Sequence, residues 1–273
     1  MTDRYAVFGN PVAHSKSPYI HSSFARETGQ QLTYEAIEAP VGGFAGAVDA
    51  FRRANGKGIN ITTPFKLDAY EYATDRTERA RLAHASNCIK FDGDRAYAEN
   101  FDGVGLVKDI VHNLGMPLRG RRVLMLGAGG AARGALLPFL AQRPAVLTVV
   151  NRDLAKTHAL LRDANAAASV RVANYGELHD ERFDIVVNAT SASLRGELPP
   201  LPPSVFGDDA LAYELVYGKG LTPFLRLARN AGVRRIADGV GMLVEQAAEA
   251  FQWWRGVRPQ TRATIDAITV PLT

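Results

Sequence analysis

Cysteine is nearly missing: a single residue, Cys88, in a chain of 273. That excludes an internal disulfide framework and any cysteine-rich metal site. The six histidines, His14, His21, His84, His112, His158 and His179, show no metal-ligand spacing, so no metal is expected. No apolar stretch approaches the roughly 18 residues that cross a bilayer. The opening Met-Thr-Asp-Arg-Tyr lacks the basic start and apolar run of a secretory signal. The expected setting is a reducing cytoplasm, with no membrane partner. Charge of one sign is never gathered into runs: 32 Lys and Arg against 28 Asp and Glu leave a net +4 scattered along the chain. Nothing resembles the basic and aromatic stripe of a nucleic-acid surface, whereas a weak positive bias suits anionic small molecules. No repeat of fixed period is visible.

Core material is present in ordinary proportion. Hydrophobic residues make up 47% and charged residues 22%, which excludes a coiled coil and disorder as the main state. At this length two domains, or one large one, are expected.

Strand-like and helix-like runs alternate almost throughout. Strands are expected at 4–9, Leu32–Glu38 and 57–61, and helices at 18–28, 44–54, 65–73 and 76–83. Runs 87–91 and 95–100 flank Asp92-Gly93-Asp94 and read as a hairpin. A helix is expected from Gly103 to about Leu114, stopped by Gly115 and Pro117. The texture then changes. Arg122–Leu126, Val146–Val150, 170–173, 183–187 and 211–216 are strands, most of them apolar on both faces, as in a parallel sheet covered by helices on each side. Pro199-Pro-Leu-Pro-Pro203 reads as a stiff surface spacer. A long helix over 242–254 carries Met242, Leu243, Gln246, Ala247, Ala250 and Trp254 at helical spacing. The expected architecture is α/β with two domains: 1–102 completed by 240–273, and 103–239.

Gly127-Ala128-Gly129-Gly130-Ala131-Ala132 fits the G-x-G-x-x-G/A fingerprint of dinucleotide binding. Gly127 can make the tight turn, Gly129 lets backbone approach a pyrophosphate, and Ala132 permits close helix-on-strand packing. Alone the hexapeptide is weak, because such residues also cluster in ordinary turns. Here it follows a strand directly and opens a helix directly, where free amides and the dipole favour phosphate. Pro138 should kink that helix. An NAD site places a carboxylate on the ribose about 20 residues further on. This chain offers Asn151-Arg152-Asp153 and then Lys156. Arg152 can stack on adenine and hold a 2′-phosphate through its planar fork, with Lys156 as a second cation, which favours NADP. Asp153 leaves a ribose contact or a helix cap open.

Polar groups cluster at strand ends in the first half. Ser15 and Ser17 lie between a strand and a helix, where two hydroxyls can meet a small ligand; a cap would account for one and not both. Asn60 ends a strand, Thr62 follows, and Lys66 opens the next helix. A lysine there faces the positive end of the dipole, which hints at a task, although a lone surface lysine is the commoner explanation. Asn87 begins one hairpin strand, and Asn100-Phe-Asp-Gly103 ends the other, leaving Asp102 as either an N-cap or a functional carboxylate.

Seven segments in order carry a resemblance. They are Asn10-Pro-Val-Ala-His-Ser-Lys-Ser-Pro18, Asn60-Ile-Thr-Thr-Pro-Phe-Lys66, Asn100-Phe-Asp-Gly103, Gly127-Ala-Gly-Gly-Ala-Ala-Arg-Gly134, Asn188-Ala-Thr-Ser191, Tyr213-Glu-Leu-Val-Tyr217 and Asp238-Gly-Val-Gly-Met-Leu-Val-Glu-Gln246. Together they make the chain similar, nearly end to end, to the shikimate dehydrogenases. The resemblance implies a substrate domain and a Rossmann-type NADP domain, with the C-terminal helix returning to the first. It implies reversible, NADPH-dependent reduction of 3-dehydroshikimate to shikimate in aromatic biosynthesis, by a monomer or homodimer. By the same resemblance Lys66 and Asp102 are the catalytic dyad and also contact the substrate, and Ser15 and Ser17 bind the substrate carboxylate with Tyr217 nearby. Asn60, Thr62, Asn87 and Gln246 take the ring hydroxyls. Gly127, Gly129, Gly130 and Ala131 cradle the pyrophosphate, and Asn151, Arg152 and Lys156 take the adenosine phosphate. Thr190, Leu215 and Gly239 fall on the nicotinamide side. The chain departs from the family at Glu214, where aspartate is usual, at Leu215, where methionine or valine is frequent, at Ser193, where glycine is usual, and at Cys88, where threonine is common. Rival readings are a dual-specificity quinate/shikimate dehydrogenase and, from another class, a non-catalytic dinucleotide sensor.

Overall fold

The computed structural model describes residues 2–273. Contacts divide the chain into two units, residues 2–105 with Val244–Asp266, and Leu106–Leu243 with Ala267–Thr273. Each is built around one six-stranded sheet.

In the first unit β1 (Asp3–Gly9) is followed by α1 (Ser17–Thr28), β2 (Leu32–Glu38), α2 (Phe44–Arg53), β3 (Gly56–Ile61), α3 (Lys66–Tyr72), β4 (Asp75–Arg76), α4 (Glu78–Ala83), β5 (Cys88–Asp92) and β6 (Arg95–Glu99). The sheet order is β2-β1-β3-β5-β6-β4. β1 pairs in parallel with β2 and β3, while β5 runs antiparallel to β3 and β6, so the expected hairpin forms. Alternation along β1 explains why it is buried on both faces. Ala6 and Phe8 enter a core with Phe44, Phe51, Ile59 and Phe65. Tyr5 turns the other way, into a cluster with Cys88, Phe101, Ala250 and Trp254. That second cluster is closed by the returning C-terminal helix: Trp254 stacks on Tyr5 at 4.7 Å and its indole N–H donates to the Ile89 carbonyl at 3.2 Å. Gly58 is required there, since a Cβ would lie 2.6 Å from the indole nitrogen.

His21 of α1 is fully buried in this unit, stacked on Tyr34 at 4.2 Å. Neither ring nitrogen meets a hydrogen-bond partner among the described residues. Burial pulls its pKa from 6.5 to about 3; the nearby Asn60 amide opposes this slightly, without hydrogen-bonding geometry. The folded ring therefore stays neutral where the unfolded chain takes up a proton. The unfolded state then binds more protons, so stability falls as pH drops below 6.5 and continues to fall towards 3. The limiting slope is ~1.4 kcal/mol per pH unit. His21→Phe should flatten that dependence, read as melting temperature between about pH 7 and pH 4.5; an unchanged slope would show that other groups set it.

Helix α5 (Asp102–Lys108) leads into the second unit, and its last turns are π-helical over Asp109–Asn113. The expected helix to Leu114 is thus present but widened. Buried Asp109 accepts from the Tyr213 hydroxyl at 2.7 Å and from Asn113 at 2.9 Å. There follow β7 (Arg122–Leu126), α6 (Gly130–Ala141), β8 (Val146–Val150), α7 (Leu154–Asp163), β9 (Arg171–Ala173), β10 (Phe183–Asn188), β11 (Phe206–Glu214), α8 (Pro223–Asn230) and β12 (Arg235–Ala237). The last helices are α9 (Val240–Arg255), whose second part belongs to the first unit, and α10 (Arg262–Ile268). Every pairing in this sheet is parallel, in the order β12-β11-β10-β7-β8-β9. The apolar strands feed two cores. Val123 and Met125 enter one with Leu136, Phe139 and Leu160, and Leu124 and Leu126 enter the other with Val186, Phe224 and Leu225. Chain order reverses at β7, which neighbours both β8 and β10; ligands bind at such a switch point, beyond the carboxyl ends of the strands.

Several elements differ from expectation. Arg76, expected to open a helix, instead forms a short strand with Asp75 by pairing with β6, and the helix begins at Glu78. β11 starts earlier than expected, because the turn-like Gly207-Asp208-Asp209 is absorbed by a register irregularity against β10. α6 continues through Pro138 to Ala141. α8, β12 and α10 carried no expectation.

Candidate functional site

In the first unit the expected polar residues gather at strand ends. Lys66, the first residue of α3, places its ammonium 2.5 Å from Asp102 Oδ2. A carboxylate partner answers the unfavourable dipole at that position. Asp102 Oδ1 accepts from the Asn87 side-chain amide at 2.7 Å, and that same amide donates to Gln246 Oε1 at 3.1 Å. Asp102 therefore turns both oxygens to side chains and does not cap α5; its own N–H donates to Asn100 Oδ1 at 3.1 Å. The Lys66 side chain is 35% exposed and that of Asp102 only 13%, so the ammonium keeps access to a small molecule while its partner is shielded.

Asn60 is buried at the end of β3. Its amide nitrogen donates to the Asn87 carbonyl at 3.3 Å, and its oxygen accepts from the Tyr34 hydroxyl at 2.7 Å. The acceptor-only carbonyl fixes which way the amide points. Tyr34 escapes sequence reading: it lies 26 positions from Asn60, on β2, with no motif to flag it. Thr62 follows β3, its N–H bonded to the Phe8 carbonyl at 2.9 Å. Ser15 accepts from the Ser17 N–H at 3.2 Å, ordering the entry to α1; Ser17 is buried and Ser15 half-buried.

In the second unit Gly127 ends β7 with φ +104°, a conformation favouring glycine, and its N–H donates to the Val150 carbonyl at 2.8 Å. A Cβ at Gly129 or Gly130 would meet nothing within 4 Å, so the backbone at the start of α6 faces open space and a phosphate can approach its amides. Ala131 lies one residue on, in the first turn of α6, half-buried.

Beyond β8, Asp153 caps α7, its Oδ1 accepting from the Lys156 N–H at 3.3 Å. Asn151 donates to the Asp153 carbonyl at 3.0 Å. Arg152 and Lys156 are exposed. Asp153 Oδ1 is thus engaged with its own helix while Oδ2 lies 4.0 Å from the Lys156 ammonium, and the exposed Arg152 guanidinium stands beside this pair.

Thr190 donates its N–H and hydroxyl to Asn188 Oδ1 at 3.2 and 2.7 Å. The Leu215 N–H donates to the Asn188 carbonyl at 3.1 Å. Gly239 packs so closely on this segment that a Cβ would lie 2.2 Å from the Leu215 carbonyl oxygen. Tyr217 is 37% exposed, and the next residue is held by its N–H to buried Asp238 at 3.1 Å.

A wholly parallel sheet with a glycine turn at its switch point makes the second unit a Rossmann-type dinucleotide-binding unit, within one chain that also carries a lysine–carboxylate site on an α/β unit. Residues 7–89 match the family described as Shikimate dehydrogenase substrate binding domain, 107–195 that described as Shikimate / quinate 5-dehydrogenase, and 239–269 the Shikimate 5'-dehydrogenase C-terminal domain. A relative named Shikimate dehydrogenase (NADP(+)), from Chromobacterium violaceum, is 54% identical over 262 residues, 96% of each chain. Among solved structures, an Ael1 enzyme from Pseudomonas putida is 61% identical with a TM-score of 0.97, covering 100% of both chains. Shikimate 5-Dehydrogenase from Thermus thermophilus, solved in complex with NADP(H) and shikimate, is 30% identical with a TM-score of 0.86, over 97% of this chain and 98% of that one. The chain belongs to the shikimate dehydrogenase family.

Proposed function

We propose that this protein catalyses the reversible, NADPH-dependent reduction of 3-dehydroshikimate to shikimate, with Lys66 and Asp102 as its catalytic pair. The unit of residues 2–105 with Val244–Asp266 is read as the substrate part and that of Leu106–Leu243 with Ala267–Thr273 as the cofactor part, so 240–243 and 267–273 leave the expected first domain, and the enzyme works in the cytoplasm. The observation that carries the reading is the hydrogen-bonded chain Lys66–Asp102–Asn87–Gln246, drawn from separate stretches of sequence.

When bound, NADPH supplies the hydride that reaches the substrate's carbonyl carbon. Gly127, Gly129, Gly130 and Ala131 hold its pyrophosphate, and Asn151, Arg152 and Lys156 its adenosine phosphate. Thr190, Leu215 and Gly239 face the nicotinamide. Ser15 and Ser17 bind the substrate carboxylate, and Asn60, Thr62, Asn87 and Gln246 the ring hydroxyls. As negative charge grows on the carbonyl oxygen, the Lys66 ammonium stabilises it and donates the proton. Asp102 aims that ammonium, and Asn87 holds Asp102 in turn. In the oxidative direction Lys66 accepts the proton.

Nicotinamide absorbance with shikimate and NADP⁺, then with quinate and NAD⁺, tests the reading. Turnover should be confined mainly to the first pair. Comparable turnover with the second would favour a dual-specificity enzyme, and none with either would leave a dinucleotide sensor. Asp102→Asn should lower kcat by about 100-fold, with the melting temperature little changed; loss of stability alone would reject the catalytic role.

A further inference from the structure

Two residues at which the chain departs from the family pattern are bonded to each other. The Ser193 hydroxyl donates to Glu214 Oε2 at 2.5 Å, and both residues are buried, Glu214 completely. The same carboxylate oxygen accepts from the Asn188 amide at 3.1 Å and from the Thr222 hydroxyl at 3.1 Å, and Oε1 accepts from the Val216 N–H at 3.3 Å. A carboxylate without solvent persists only where its lone pairs are met. Here the donors come from a strand end, two loops and a helix cap, so one side chain joins four segments.

Their location gives the cluster a further meaning. Asn188 and Glu214 are register partners at the carboxyl ends of β10 and β11. Thr190 hangs from Asn188 through two bonds, Leu215 is bonded to the Asn188 carbonyl, and Val216 is bonded to Glu214. Gly239 rests on the Leu215 carbonyl, and a Cβ at Gly127 would lie 3.1 Å from Thr190 Cγ2. Thr190 and Leu215 are thus anchored at Asn188, the partner of Glu214, and Gly239 packs on Leu215.

We propose that Glu214, with Ser193, is a positioning residue for the nicotinamide half of the cofactor: it sets the Thr190 and Leu215 segments without touching the reacting atoms. The proposal rests on the cofactor reading given above and deepens it. Burial raises the Glu214 pKa while its four donors counter the shift, in keeping with a group retained for its acceptors.

The test compares NADPH with adenosine 2′,5′-bisphosphate, which carries the adenosine end and no nicotinamide, in titrations of the unaltered protein, Ser193→Ala and Glu214→Gln. Both variants should bind NADPH about five- to ten-fold more weakly, as the loss of about one buried hydrogen bond implies. The bisphosphate should bind within about two-fold of the unaltered protein, because its contacts lie at the other end of the cofactor. In turnover, kcat should fall while KM for shikimate stays constant. Equal weakening of both ligands would show a general loosening and overturn the proposal, as would unchanged NADPH affinity in Ser193→Ala, the milder change should Glu214→Gln fail to fold. Unaltered protein that binds neither ligand would instead overturn the cofactor reading itself.

Discussion

Lys66→Ala is expected to lower kcat for shikimate oxidation by about 100-fold or more, with KM for shikimate changing little. That loss corresponds to ~2.7 kcal/mol of transition-state stabilisation, the scale on which a positioned proton donor and a charge facing a developing alkoxide act. Among the described residues no second ammonium is bonded to Asp102: its two carboxylate oxygens are engaged by Lys66 and by the neutral Asn87 amide. Under the proposed assignment substrate binding is distributed over hydroxyl and amide groups that the substitution leaves in place, which is why kcat and KM are expected to separate. Removing the lysine also strands a shielded carboxylate, so the melting temperature belongs in the same experiment. Turnover unchanged in a folded variant would end the acid–base role for Lys66.

Arg152→Ala is expected to raise KM for NADPH by about 10- to 100-fold, far more than KM for NADH. The cofactors differ by one phosphate, and the structure presents at that end of β8 an exposed guanidinium, with Lys156 a turn later and Asp153 engaged as a helix cap. Acidic Glu197 feels the Arg152 charge but is gripped by Arg195 through two hydrogen bonds at 2.9 Å, so it does not claim Arg152 as a partner. Steady-state kinetics with both cofactors checks this, and equal effects on the two would reject a 2′-phosphate contact.

What the sequence revealed and what it hid follow from the range of the forces involved. The glycine turn was legible because strand, turn and helix are consecutive, and each glycine has a local steric reason. Lys66 was conspicuous for a similar reason: a cation at a helix start is locally unfavourable, which hinted at a task although a lone surface lysine was the commoner explanation. Which partner was less plain, since Asp102 before a glycine reads equally as a cap, and the two lie 36 positions apart. Tyr34 on Asn60, and Ser193 on Glu214, left no local trace at all.

By itself the sequence determined the α/β class, the parallel character of the second sheet and the cofactor-binding turn. Apolar periodicity and turn stereochemistry act between neighbours, and they survive in a one-dimensional record. Tertiary structure alone decided that Asp102 serves Lys66 rather than its own helix, and that buried Glu214 ties together the ends of β10 and β11. A carboxylate has several competing donors within reach of its own backbone. Which of them wins depends on the donors that packing brings from distant segments, and on how far burial removes water as the alternative partner.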